Sequence, residues 1–184
     1  MTSTLHEQPL LPDLVIRALT SRDGDPCIFT GDSVLSYADA RQRTSQMVQA
    51  MQSVGVRKGS RVAILSKNRP EVLLNAFASL VNGCILTPLH PMASLGDHSY
   101  AVNDAEIDCL VFDTVHFTER ARELGEEFPK LVLLGFGPND AGLDFLGLAN
   151  SFAPAPLVRP DVHLDELCTV VYTGGTTGAP RVCS

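Results

Sequence analysis

Short apolar runs alternate with helix-period segments through the middle of this chain, and that alternation constrains the fold more than any other feature. Arg61 to Leu65, Cys84 to Pro88, Cys109 to Phe112 and Leu131 to Leu134 are each apolar at nearly every position. Strands that do not alternate in and out are apolar on both faces, so both faces need cover. Helical segments stand between them. Pro70 suits the first turn of a helix running to about Asn82, with Gly83 just past its end. Leu95 to Asn103 and Phe117 to Glu127 follow the same period. The fold class is therefore α/β, a mostly parallel twisted sheet flanked by helices.

The leading residues fit in front of this unit. Asp13 is placed to cap a helix whose Leu14, Val15, Ala18 and Leu19 form one stripe, and the Asp23-Gly24-Asp25-Pro26 cluster ends it. Cys27 to Thr30 and Val34 to Leu35 flank Gly31-Asp32-Ser33, which predicts a hairpin. Ser36 with Asp39 reads as a capping box for a helix from Tyr37 to about Ser53, closed by Gly55. From Gly135 the chain turns rich in Gly, Pro and Ala. Residues 135–165 read as a linker-like region around one short helix at Asp144 to Ala149.

Composition narrows the function. The 184 residues are 45% hydrophobic and 19% charged, enough for the core of one domain or one large lobe. A net charge of -7 leaves no basic surplus to neutralise a phosphate backbone, which argues against nucleic acid as a partner. Cys27, Cys84, Cys109, Cys168 and Cys183 are odd in number and widely spaced, so they read as reduced thiols rather than a disulfide framework or zinc site. The first residues lack the basic and apolar regions of a signal peptide, and no apolar run approaches the roughly 18 residues of a membrane helix. A cytoplasmic protein without a transmembrane segment is expected. His90, His98, His116 and His163 show no metal-ligand spacing and read as solvated or capping groups. Glu119, Glu123, Glu126 and Glu127 with Arg120 and Arg122 read as a solvated helix face, and Met47 with Met51 as core packing.

The chemistry gathers near the end. Leu167 to Tyr172 reads as a buried-type strand that runs into Thr173-Gly174-Gly175-Thr176-Thr177-Gly178-Ala179-Pro180-Arg181. Glycines let successive N–H groups converge on one anion. Three threonine hydroxyls add donors, and the Arg181 guanidinium matches phosphate oxygens. These residue types suit a polyphosphate. The Walker pattern G-x-x-x-x-G-K-[ST] is not met, nor is a Rossmann fingerprint, and a flexible Gly/Thr segment is the competing reading of the composition.

The segment Tyr172 to Arg181 resembles the phosphate loop of the adenylate-forming superfamily, whose pattern is Y-T-S-G-T-T-G-x-P-K-G. Leu35-Ser36-Tyr37-Ala38-Asp39 resembles its L-T-Y-x-E segment, and Gly55 to Ala63 its G-V-x-K-G-D-R-V-A segment. Asn68-Arg69-Pro70-Glu71 and Gly83 to Pro91 are similar to its N-x-P-E helix and G-A-x-x-x-P-L-x-P strand. The likeness covers nearly the whole chain. Three departures stand out: Gly174 in place of Ser, Arg181 in place of Lys, and Val182 in place of the next Gly.

The resemblance implies the N-terminal part of the large lobe of a ligase that joins a carboxylic acid, a fatty acid foremost, to ATP and then to coenzyme A. It implies ATP, Mg2+ and coenzyme A for the complete enzyme. Thr173, Gly174, Gly175, Thr176, Thr177, Gly178 and Arg181 would hold the nucleotide phosphates, with Arg181 in the place of the family's lysine. No residue is assigned a catalytic role. The family's adenine, ribose and hinge segments and its mobile C-terminal lobe have no counterpart in residues 1–184, so these residues are expected to be a partial AMP-binding domain without turnover of its own. Bare apolar surface is expected to favour self-association. A non-catalytic nucleotide-binding or interaction module and an aromatic-acid ligase stay open as alternatives.

Overall fold

The computed structural model describes residues 9–173 and 181–183. Helix α1 spans Leu11–Thr20. It starts before Asp13, whose carboxylate accepts the Leu10 N–H at 2.9 Å. Asp13 is thus not the cap residue itself. From the third helical position it satisfies the free N–H at the helix entry, and Pro12 fits the first turn because no N–H is needed there.

Strands β1 (Pro26–Thr30) and β2 (Ser33–Ser36) form the expected hairpin, with Thr30 opposite Ser33. Gly31 has φ 55°, the positive value that a two-residue hairpin turn demands of its first central residue and that glycine adopts without steric cost. Helix α2 spans Tyr37–Ser53. Ser36 Oγ accepts the Asp39 N–H at 3.1 Å and the Asp39 carboxylate accepts the Ser36 N–H at 3.2 Å, so two donors that α-helical bonding leaves unpaired are satisfied reciprocally.

The remaining chain builds a five-stranded parallel sheet in the order β4-β3-β5-β6-β7. Its strands are β3 (Arg61–Leu65), β4 (Ile85–Pro88), β5 (Cys109–Phe112), β6 (Val132–Gly135) and β7 (Leu143–Asp144). Helices α3 (Pro70–Val81), α4 (Leu95–Asp104), α5 (Thr118–Glu127) and α6 (Phe145–Asn150) connect or follow them. Successive side chains of one strand enter different cores. Val62, Ile64 and Val111 pack with Met47, Met51, Leu74 and Phe145, while Ala63, Leu65, Leu110 and Phe112 pack with Val102, Ala121 and Leu124. The two Met side chains on α2 are fully enclosed, as core packing requires. Each such Leu or Phe contributes roughly 1.5–3 kcal/mol on leaving water.

Two departures concern the later chain. The short strand β7 joins the sheet beside β6 within the Gly-rich stretch, and Asp144 then caps α6 by accepting the Gly147 N–H at 2.9 Å. The approach there is close: a Cβ on Gly142 would lie 2.5 Å from the Leu133 carbonyl oxygen. The stretch expected as one buried strand over Leu167 to Tyr172 is divided. Thr169 makes a single parallel bridge to Leu86 on the edge strand β4, through Leu86 N–H to Cys168 O at 2.9 Å and Val170 N–H to Leu86 O at 3.0 Å. Val170 is buried, but Leu167, Cys168 and Val171 are exposed. Strand β8 (Val171–Thr173) then pairs antiparallel with β9 (Arg181–Cys183) rather than continuing along β4.

Candidate functional site

The β8–β9 hairpin sets Thr173 directly opposite Arg181, with Tyr172 opposite Val182 and Val171 opposite Cys183. Two of the seven residues expected to contact phosphate are therefore brought together at the ends of one connection. Gly174, Gly175, Thr176, Thr177 and Gly178 lie outside the described residues.

Tyr172 ties this hairpin to the body of the protein. Its hydroxyl donates to Asp104 Oδ2 at 2.7 Å, at the last residue of α4, and its ring meets Tyr100 edge-on at a centroid distance of 6.2 Å. The same ring packs on the core cluster beneath α4 and α5. Partial burial, followed by the hydrogen bond to Asp104 and that carboxylate's charge, pushes the Tyr172 phenol well above the usual tyrosine range.

A second polar group lies where the chain leaves β3 and β5. Asp113, just after β5, is 3% exposed; its carboxylate accepts from Arg69 Nη1 at 3.0 Å, from the Val115 N–H at 3.1 Å and meets His116 Nδ1 at 2.7 Å. Burial acts to raise its pKa, but the bonds from His116 and Val115 and the charge of Arg69 together hold it below the ordinary aspartate value. Arg69 also donates from Nε to Glu71 at 2.7 Å and lies 5.2 Å from the centre of the Phe136 ring. Both carboxylates are thus committed to one guanidinium. The arrangement fastens the β3–α3 and β5–α5 turns to each other.

His98 corrects the reading of the histidines as solvated or capping groups. It is 1% exposed, with Nε2 2.9 Å from the His90 carbonyl oxygen and Nδ1 2.7 Å from Arg120 Nη1. Arg120 can only donate, so Nδ1 accepts and Nε2 carries the proton. Burial first, with Arg120 nearby adding to it, lowers the His98 pKa and keeps the ring neutral. Arg120 is accordingly more than part of a solvated face, although Arg122 does pair outward with Glu119 and with Asp140 at 2.7 Å. Of the thiols, Cys84 and Cys109 are buried; burial pushes Cys84 up to about 12 and Cys109 higher, so neither is a ready nucleophile. Among the described residues no three His, Cys, Asp or Glu side chains converge as metal ligands, and no helix is long and apolar enough to cross a membrane.

Sequence reasoning missed Asp104, Tyr100 and the Arg69–Asp113–His116 group. Tyr172 and Asp104 are 68 residues apart, and no local pattern announces such a pair.

Comparison with known proteins agrees with this architecture. The chain is 38% identical over 175 residues to the medium/long-chain-fatty-acid–CoA ligase FadD8 of Mycobacterium tuberculosis, covering 91% of this chain and 31% of that protein. It is 30% identical over 152 residues to a feruloyl-CoA synthase of an Amycolatopsis species, covering 82% of this chain and 28% of the other. The anthranilate CoA ligase AuaEII, solved in complex with anthranoyl-AMP, superposes with a TM-score of 0.82 at 23% identity over 93% of this chain and 33% of its own. The apo structure of Mycobacterium smegmatis MbtA does so with a TM-score of 0.82 at 24% identity over 95% and 33%. The chain spans about a third of the length of these proteins. Residues 17–183 match the family described as AMP-binding enzyme, and since that match takes in the sheet, its helices and the β8–β9 hairpin, the chain belongs to the AMP-binding enzyme family.

Proposed function

We propose that this chain carries the phosphate-binding part of an ATP-dependent fatty acid ligase, and that residues 1–184 alone bind the phosphates without completing a reaction. The observation that carries the reading is the Thr173 to Arg181 segment, rich in backbone and hydroxyl donors, held between paired strands in a member of the AMP-binding family. Fatty acid is favoured as substrate because the relative at 38% identity is named a medium/long-chain-fatty-acid–CoA ligase. An aromatic acid is the second reading, favoured by the feruloyl-CoA synthase at 30% identity.

In the proposed reaction a carboxylate oxygen attacks the α-phosphorus of ATP, the bond to the bridging oxygen breaks, and pyrophosphate leaves. The thiol of coenzyme A then displaces AMP from the acyl carbon. Negative charge grows on the departing phosphates in the first step, and donors already aimed at them stabilise it without reorganising. Thr173, Thr176, Thr177 and the N–H groups of Gly174, Gly175 and Gly178 are assigned that role, and Arg181 adds a charge with a planar fork suited to two phosphate oxygens. Mg2+ bound with the nucleotide would offset part of the same phosphate charge.

ATP–pyrophosphate exchange on the purified chain with a panel of fatty and aromatic acids tests this. No exchange is expected. Exchange with a fatty acid would overturn the proposed lack of turnover, and exchange with aromatic acids alone would also replace the fatty acid reading.

A further inference from the structure

We propose that Tyr172 is a positioning residue, which by its hydroxyl bond to Asp104 fixes strand β8, and so the point where the chain enters the Gly/Thr run, to the C-terminal end of α4. The proposal rests on the phosphate-binding reading above.

Among the described residues, strand β8 has few other attachments. Among these residues, the main sheet reaches the neighbouring chain through the Thr169 bridge, and the last bond of that bridge runs from Val170 N–H to Leu86 O. Beyond it, among the described residues, β8 pairs with β9 alone. A two-stranded ribbon needs packing from elsewhere to hold its orientation. Tyr172 supplies that packing: its ring lies on the α4–α5 core cluster and edge-on to Tyr100, and its hydroxyl donates to Asp104 Oδ2 at 2.7 Å.

Asp104 stands at an unfavourable place for its charge. A carboxylate on the last residue of a helix faces the negative end of the macrodipole, where a cation would be favoured. Asp104 does not cap α4, because the groups left free at a helix C-terminus are carbonyl acceptors and a carboxylate has no proton to offer them. Its Oδ2 is engaged by Tyr172, and its Oδ1 lies 3.4 Å from the Tyr100 hydroxyl. A side chain that is locally unfavourable yet engaged by β8 points to a task at β8 rather than in α4. The phenol held above its usual range is consistent with the bond.

The test compares the chain with Tyr172→Phe, Asp104→Ala, Asp104→Asn and the double variant Tyr172→Phe/Asp104→Ala. Tyr172→Phe keeps the ring and its packing but removes the donor. Pyrophosphate affinity is read by titration calorimetry, thermal unfolding in parallel, and the Tyr172 phenol by ultraviolet titration, taken as the difference from Tyr172→Phe. A solvent-screened bond to a charged group supports a loss of about threefold to tenfold in affinity for Tyr172→Phe and for Asp104→Ala. The double variant is expected to be no weaker than either single one. Asp104→Asn, which keeps an acceptor oxygen, is expected to recover most of the loss. Lowered unfolding temperature with unchanged pyrophosphate affinity would reduce the pair to a structural contact and overturn the proposal. A Tyr172 phenol that titrates at the ordinary value of about 10 and ignores Asp104→Ala would show that the bond is not formed. If the unaltered chain binds no pyrophosphate while the phenol remains coupled to Asp104, the phosphate-binding reading falls, and the positioning role with it.

Discussion

His98 is enclosed by α4, α5 and the turn after β4, and each ring nitrogen meets a partner of fixed character. Arg120 donates to Nδ1, and Nε2 donates to the His90 carbonyl. Asp97 and His90 are its other charged or titratable neighbours, and Glu123 holds Arg120 from the far side at 3.1 Å. A proton added at Nδ1 would face a guanidinium in a site closed to water, so the folded state resists it and the pKa is lowered from the usual 6.5. The unfolded chain has no such resistance and binds the proton more readily. Stability contributed by neutral His98 is therefore complete above about pH 6.5 and is lost as pH falls toward and through the lower folded value. Denaturant unfolding at pH 7.5, 6.0 and 5.0 should show stability falling with pH, and His98→Gln should flatten that slope. An equally steep slope in the variant would contradict the assignment. Asp113 does not contribute to that slope, since its carboxylate is held below its usual 3.8 and is protonated only in stronger acid.

Among the elements, the helices with local start signals were the most legible in the sequence. Ser36 and Asp39 define the start of α2 by their own side chains, so its bounds needed no tertiary information. Helix α4 begins in the same way: Ser94 Oγ accepts the Asp97 N–H at 3.1 Å, and the Asp97 carboxylate accepts the Ser94 N–H at 3.1 Å. Replacing Ser94 or Ser36 by Ala should each cost about 1 kcal/mol, read as a shift in the urea midpoint. Losses below about 0.3 kcal/mol at both positions would show that these caps do not carry their helices. The four longer parallel strands were legible because they are apolar on both faces. Strand β7 was not, because two residues carry no period. The division of the Leu167 to Tyr172 stretch was not legible either: its six residues read alike in hydrophobicity, and only the position of the edge strand β4 and the partner β9 decides where pairing changes.

For the molecule as a whole, the described surface retains large apolar side chains in one neighbourhood. Leu11, Leu14, Leu164 and Leu167 are exposed around a cavity of about 470 Å³ that also takes in Leu10, Leu80 and Ile85. Patches of this kind favour association, even against a net charge of -7. Sedimentation should find species larger than the monomer, reduced by Leu164→Glu with Leu167→Glu; a monomer at all concentrations would remove the proposal of self-association. The candidate site was legible as a residue pattern, because Gly, Thr and Arg are suited to phosphate wherever they converge. Its attachment was not, because the Tyr172–Asp104 bond joins residues far apart in the chain. The Gly/Thr run after β8 is proposed to bind the phosphates of ATP. The most direct test is the equilibrium affinity of pyrophosphate for the purified chain, measured by calorimetry beside the variant Thr176→Ala/Thr177→Ala. Loss of hydrogen bonds from two hydroxyls to a charged ligand should weaken binding by at least about tenfold. A chain that binds no pyrophosphate, or a double variant that binds it as tightly as the unaltered chain, would contradict phosphate binding by this run.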